Sequence, residues 1–280
     1  MIHYKENLKK LYPQIGGNYD FTLESFIIDD LDEAAEKPCR PALLIFPGGA
    51  YSVCSERESM PIAAAFAAKG FHCYGLYYST ASSDHSSRFP YQLLQAAAAI
   101  DYIKNKADEH GTDKTRIAVC GFSAGGHLAA MISTLYHHES IQKAFPNRRE
   151  DYFRPCASVL GYPVIVYNEK TAHLASFENL TGGDEKCKQA LSLEKCVTQK
   201  TPPAFIWHTS DDTAVDCRNS LEYASALREH GIKFELHVYA SGPHGLSLAN
   251  EVTCVGNPDL IDSYVANWVD DAARFLMRKG

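Results

Sequence analysis

Gly121-Phe122-Ser123-Ala124-Gly125 sets a serine hydroxyl in the pattern G-x-S-x-G. The apolar residues 117–120 precede it, and the small-residue run Gly125-Gly126-His127-Leu128-Ala129-Ala130 follows. Strand, tight turn, helix is the context in which such a serine becomes an exposed nucleophile. Glycines are needed two residues to either side because larger side chains would collide across the turn. The helix that follows aims its first amides at charge developing beside Ser123. Without that context, the pentapeptide would be a glycine-rich helix start carrying an incidental serine.

A serine hydroxyl is a weak nucleophile near neutral pH, so it needs a base and a group that orients the base. On an open parallel sheet the order along the chain is serine, acid, histidine, each just past a strand. The run 204–208 is followed by Thr209-Ser210-Asp211-Asp212-Thr213, and the run 233–239 by Ala240-Ser241-Gly242-Pro243-His244-Gly245. His244 is therefore the candidate base. Asp211 and Asp212 compete for the acid. Asp212, immediately before Thr213-Ala214-Val215, is favoured, while Asp211 suits a turn and Asp216 suits a helix cap.

A tetrahedral intermediate needs amide donors around its oxyanion. Pro47-Gly48-Gly49-Ala50-Tyr51, directly after the run 42–46, offers the amides of Gly49 and Ala50, and Ala124 offers a third. Taken alone, these glycines would be an ordinary turn after a strand. His127, four residues along the elbow helix, is expected to point inward as a supporting hydrogen-bonder. No H-E-x-x-H and no zinc-like Cys/His spacing occurs, so no metal and no cofactor is expected.

The elements that must carry these groups alternate along the chain. Strand-like runs cover 42–46, 71–78, 116–121, 156–162, 204–208 and 233–239. Helical patterns cover 60–69, 89–110, 124–138, 216–230 and 258–278. This rhythm implies right-handed crossovers and an α/β fold, an open and mostly parallel sheet with helices on both faces. Residues 1–40 show only a weak strand pattern at 21–28. Residues 164–203 read as a long irregular insert, and this insert and residues 1–40 are the candidates to wall the substrate site. A single domain over 1–280 is expected.

The 280 residues are 45% apolar and 22% charged, with a net charge of −7, which excludes a disordered or fibrous chain. Without a basic block, nucleic acid and anionic membranes are not expected as partners. No apolar run reaches the roughly 18 residues of a membrane span. The start lacks the pattern of a signal peptide. Nine scattered cysteines with no C-x-x-C suit reduced thiols and a cytoplasmic setting. Oligomeric state is left open, with a homo-oligomer among the options.

Four segments together resemble the α/β-hydrolase superfamily: Phe46-Pro47-Gly48-Gly49-Ala50-Tyr51, the run from Arg116 through the elbow to Ala129, Gly161-Tyr162-Pro163-Val164-Ile165, and Gly242-Pro243-His244-Gly245-Leu246. Within it they are most similar to the bacterial acetylxylan-esterase-like, or carbohydrate-esterase-like, serine esterases. The resemblance implies an eight-stranded, mostly parallel sheet. It also implies Ser123, Asp212 and His244 as the catalytic set, and Gly49, Ala50 and Ala124 around the oxyanion. The expected reaction is hydrolysis of short-chain esters, acetyl above all, on a small-molecule or oligosaccharide substrate. Two rivals are a prolyl-oligopeptidase-like peptidase, for whose shielding domain 280 residues leave no room, and a non-catalytic receptor on the same scaffold.

Overall fold

The computed structural model describes residues 1–15, 20–29, 38–83 and 87–278. Eight strands form one sheet in the order β1-β2-β4-β3-β5-β6-β7-β8. Their ranges are β1 Ile2–Asn7, β2 Thr22–Ile27, β3 Arg40–Phe46, β4 His72–Tyr77, β5 Thr112–Phe122, β6 Ser158–Gly161, β7 Ala204–Thr209 and β8 Phe234–Tyr239. From β4 to β8 every pairing is parallel, whereas β1 and β2 form an antiparallel edge.

Side chains alternate across this sheet and divide the core in two. On β3, Ala42, Leu44 and Phe46 join one cluster while Leu43 and Ile45 join the other. β5 repeats this with Ile117 and Val119 against Ala118, Cys120 and Phe122, and β7 with Ile206 against Phe205 and Trp207. Helices Tyr91–Asn105, Ala124–Leu135 and Arg218–Glu229 cover the first face. Helices Met60–Ala67 and Trp268–Met277 cover the second. Strands buried on both sides must read as continuous apolar runs, which is why they stood out in the sequence.

Three regions differ from the sequence reading. The polar strand β1 lies at the sheet edge, with residues from half-buried to exposed, and so leaves no hydrophobic pattern. The helix expected over 258–278 starts only at Trp268, after two short 3-10 turns. Asp262 interrupts it: its Oδ1 accepts the amides of Tyr264 and Val265 at 2.8 and 2.9 Å, offering the backbone a local alternative to helix. The insert 164–203 is less irregular than expected, since it holds helices Leu174–Thr181 and Glu185–Ala190 and a 3-10 turn Leu193–Cys196. Residues 16–19 and 30–37 of the N-terminal segment lie outside the described residues.

Candidate active site

Ser123 lies between the end of β5 and the helix Ala124–Leu135 with φ at 54°, in the left-handed region that a side chain rarely adopts. Packing holds it there. Its amide donates to Gly161 O at 3.0 Å, and its carbonyl accepts from Val164 N and His127 N, both at 3.0 Å. A Cβ on Gly121 would come within 2.1 Å of Gly125 O, and one on Gly125 within 2.1 Å of Phe46 O. Both glycines are thus required by close backbone approach.

His244 stands between the serine and the acid. Its Nε2 is 2.9 Å from Ser123 Oγ and its Nδ1 is 2.7 Å from Asp212 Oδ2. With Nδ1–H donating to the carboxylate, Nε2 is free to accept the serine proton. Ser123 and Asp212 are buried, while the His244 side chain is partly exposed.

Asp212 is fixed from three directions. Its Oδ1 accepts the amides of Ala214 and Val215 at 2.9 and 3.0 Å. Its Oδ2 faces both His244 and, at 3.3 Å, Nε2 of the fully buried His208. His208 Nε2 also donates to Val215 O at 2.9 Å, and Ser220 Oγ pairs with its Nδ1 at 2.8 Å. Burial works to raise the Asp212 pKa, but the bonds from His208 and His244 outweigh it and hold the carboxyl well below the usual range. Of the two neighbouring aspartates, it is Asp212 that meets the histidine. Asp211 turns away, and its carboxylate accepts Gly242 N at 2.8 Å and Ser241 Oγ at 2.7 Å, tying down the loop that carries His244. Asp216 accepts Arg218 N at 2.9 Å, as a cap would.

The loop after β3 lies against the serine. Gly49, Ala50 and Tyr51 have φ of 123°, 54° and 56°, and a Cβ on Gly48 would approach Ser123 Cβ to 3.1 Å. Ala124 opens its helix, so its amide has no acceptor within that helix. His127 is buried, with Nδ1 at 2.9 Å from Tyr51 OH and Nε2 at 2.9 Å from Leu191 O, the supporting role expected of it. Among the described residues no group of three or more His, Cys, Asp or Glu side chains is gathered in a way that could hold a metal. No helix among them is long and apolar enough to cross a membrane.

The BD-FAE family profile matches residues 30–227, more than half of the chain. The chain belongs to the BD-FAE family. The match takes in Ser123 and Asp212 and ends before His244, so the histidine's place rests on the fold. This BD-FAE chain is 30% identical over 217 residues to an acetylxylan esterase of Xylanibacter ruminicola, covering 75% of this chain and 42% of the relative. It spans a third to two-fifths of the length of the curated relatives it matches most strongly. Among solved structures, an acetyl ester-xyloside bifunctional hydrolase from Caldicellulosiruptor lactoaceticus is 32% identical with a TM-score of 0.81, over 97% of this chain and 94% of that one. A carboxylesterase from Lactobacillus plantarum WCFS1 is 30% identical with a TM-score of 0.85 over the whole of both chains. The architecture is that of an α/β-hydrolase, with an antiparallel edge on the parallel sheet.

Several residues at the BD-FAE site escaped sequence reasoning. Arg57 and Glu58 sit in the polar run Ser55-Glu56-Arg57-Glu58-Ser59, which reads as a solvated loop, yet Glu58 is buried. Asn179, in the insert, donates to Ala50 O at 2.8 Å. His208 is the penultimate residue of the apolar strand β7 and looks like a core residue until its bonds are seen. Arg57, Glu58 and Asn179 carry no local pattern because each reaches a segment more than a hundred positions away. His208, whose partners follow closely, is hidden by the apolar strand around it.

Proposed function

We propose that this chain is a serine carboxylic ester hydrolase acting on short acyl groups, acetyl first, carried by sugars or short oligosaccharides. The observation that carries the reading is His244 bridging Ser123 Oγ and Asp212 Oδ2 at 2.9 and 2.7 Å. Such a bridge is the working geometry of nucleophile, base and orienting acid.

In this mechanism Ser123 Oγ attacks the ester carbonyl carbon while His244 Nε2 takes the hydroxyl proton. The negative charge formed on the carbonyl oxygen is met by the amides of Gly49 or Ala50 and of Ala124. Collapse returns the proton from His244 to the leaving alcohol and leaves the acyl group on Ser123. Water, deprotonated by the same imidazole, releases the acid and regenerates the serine. Asp212 keeps Nδ1 protonated and stabilises the imidazolium throughout. Support for acetyl on sugar comes from the acetylxylan esterase and the acetyl ester-xyloside hydrolase among the similar proteins. A cytoplasmic setting belongs to the same reading, supported by nine free cysteines.

Ser123→Ala should lose nearly all hydrolysis of p-nitrophenyl acetate, and a fluorophosphonate probe should label the native chain at Ser123. Retained turnover, or an unlabelled serine, would overturn the assignment. Acyl lengths from acetyl to octanoyl, crossed with acetylated sugar oligomers, test the substrate class. Proline-containing peptides in the same panel test the peptidase alternative.

A further inference from the structure

Glu58 is a buried carboxylate that the mechanism above does not use, and both its oxygens are engaged by groups that border the site. Gly48 N donates to its Oε2 at 2.8 Å, and Tyr162 OH donates to its Oε1 at 2.6 Å. Gly48 belongs to the loop offering the oxyanion amides. Tyr162 packs edge-on against the His244 ring, with centroids 4.9 Å apart. Ser247 N donates to Tyr162 OH at 3.0 Å, so the phenolic hydrogen is directed to Glu58. Two donors on two oxygens is the pattern of an ionised carboxylate.

The preceding residue completes a strap. Arg57 donates from Nε to Thr253 O at 2.6 Å and from Nη2 to Gly245 O at 2.8 Å, and its carbonyl accepts Ser247 Oγ at 2.7 Å. Adjacent side chains therefore grip the oxyanion loop, the turn after β6 and the histidine loop together. A Cβ on Gly48 would meet Glu58 Oε2 at 2.7 Å, so the glycine there makes room for this carboxylate.

We propose that Glu58, acting through Tyr162 and Gly48, is a positioning residue for the reaction: it holds the His244 ring and the oxyanion loop in register, and its charge favours the imidazolium formed on Ser123 attack. The inference rests on the reading of Ser123, His244 and Asp212 as the reacting set. Burial is the largest influence and leaves the Glu58 carboxyl above its ordinary range, with the bonds from Tyr162 and Gly48 and the charges of His244 and Arg57 opposing it. The titratable and charged groups around it are Arg57, Tyr162, Tyr78, Cys120 and His244. Around His244 they are Asp212 and, from the insert, His173.

The test is Glu58→Gln beside Tyr162→Phe, with p-nitrophenyl acetate kinetics across pH and near-UV circular dichroism of the two buried tryptophans as the check of fold. Glu58→Gln should lower kcat about tenfold to a hundredfold through lost registration, with KM within about threefold of the native value. The acid limb of its kcat/KM profile should move down by about half a pH unit, because a negative charge behind the imidazole is gone. Tyr162→Phe keeps the carboxyl but removes a bond that holds it charged. Its kcat should fall, and its acid limb should move in the same direction as that of Glu58→Gln and no further. A folded Glu58→Gln variant with native kcat and an unmoved acid limb would overturn the proposal. If Glu58→Gln does not fold, Tyr162→Phe decides: reduced kcat at native KM supports the proposal and native kcat overturns it. Fluorophosphonate labelling of Ser123 in the native chain separates failure of this inference from failure of the esterase reading itself.

Discussion

At Asp212 a single pair of oxygens is asked to do two things, and the surrounding donors divide the work. Oδ1 is held by two backbone amides, so Oδ2 points at His244 without freedom to swing. Asp212→Asn would put an amide opposite Nδ1 and favour the wrong imidazole tautomer. We expect kcat to fall by about three to four orders of magnitude, with the variant still folded. Asp211→Asn should cost far less, because Asp211 bonds only the loop and not the ring. A comparable loss in both variants, measured on p-nitrophenyl acetate, would mean that the acid has been assigned wrongly.

The helix Ala124–Leu135 joins the nucleophile to the core, and His127 within it reports on that joint. Burial pushes its pKa down to about 4, against an ordinary histidine in the unfolded chain. The unfolded state therefore binds the extra proton between about pH 6.5 and pH 4, and stability must fall as pH drops through that window. The expected loss from this residue is about 2 kcal/mol between pH 7.5 and pH 5. Urea unfolding at the two pH values measures it, and His127→Gln should flatten the slope while lowering stability at pH 7.5. An unchanged slope in that variant would show that another group controls the transition. Tyr51 shares the bond to His127, so the same protonation should loosen the loop after β3 and weaken turnover at low pH.

Across the molecule, the parallel sheet brings the ends of β3, β5, β7 and β8 to one edge, where loops from distant parts of the chain meet. The insert is tied to that edge by Asn179, which donates to Ala50 O, and by Leu191 O, which accepts from His127. Phe177 from the same insert packs edge-on against the His127 ring, with centroids 5.4 Å apart. Asn179→Ala should loosen the loop after β3 and reduce kcat by roughly threefold to tenfold, an effect of about 1 kcal/mol for one lost bond. Thermal stability should change little, since Asn179 is only half-buried. Equal losses in kcat and in folded fraction would place the bond in general stability instead.

Ser123 in its tight turn and His244 in its loop after a strand were readable in the chain because their demands are local: a strained turn needs glycines beside it, and a strand needs an uninterrupted apolar run. The same held for β3, β5 and β7, whose two buried faces leave a signal no polar edge strand can leave. Asp212 was favoured over its neighbour in the sequence by the segment that follows it, while the approach of the histidine loop to that carboxylate shows only in the fold. Glu58, Arg57, Tyr162 in its contact with His244, and Asn179 became visible only in three dimensions. Their partners are separated from them by tens to nearly two hundred positions, so burial and hydrogen bonding there follow from how the strand ends converge, not from any pattern along the chain.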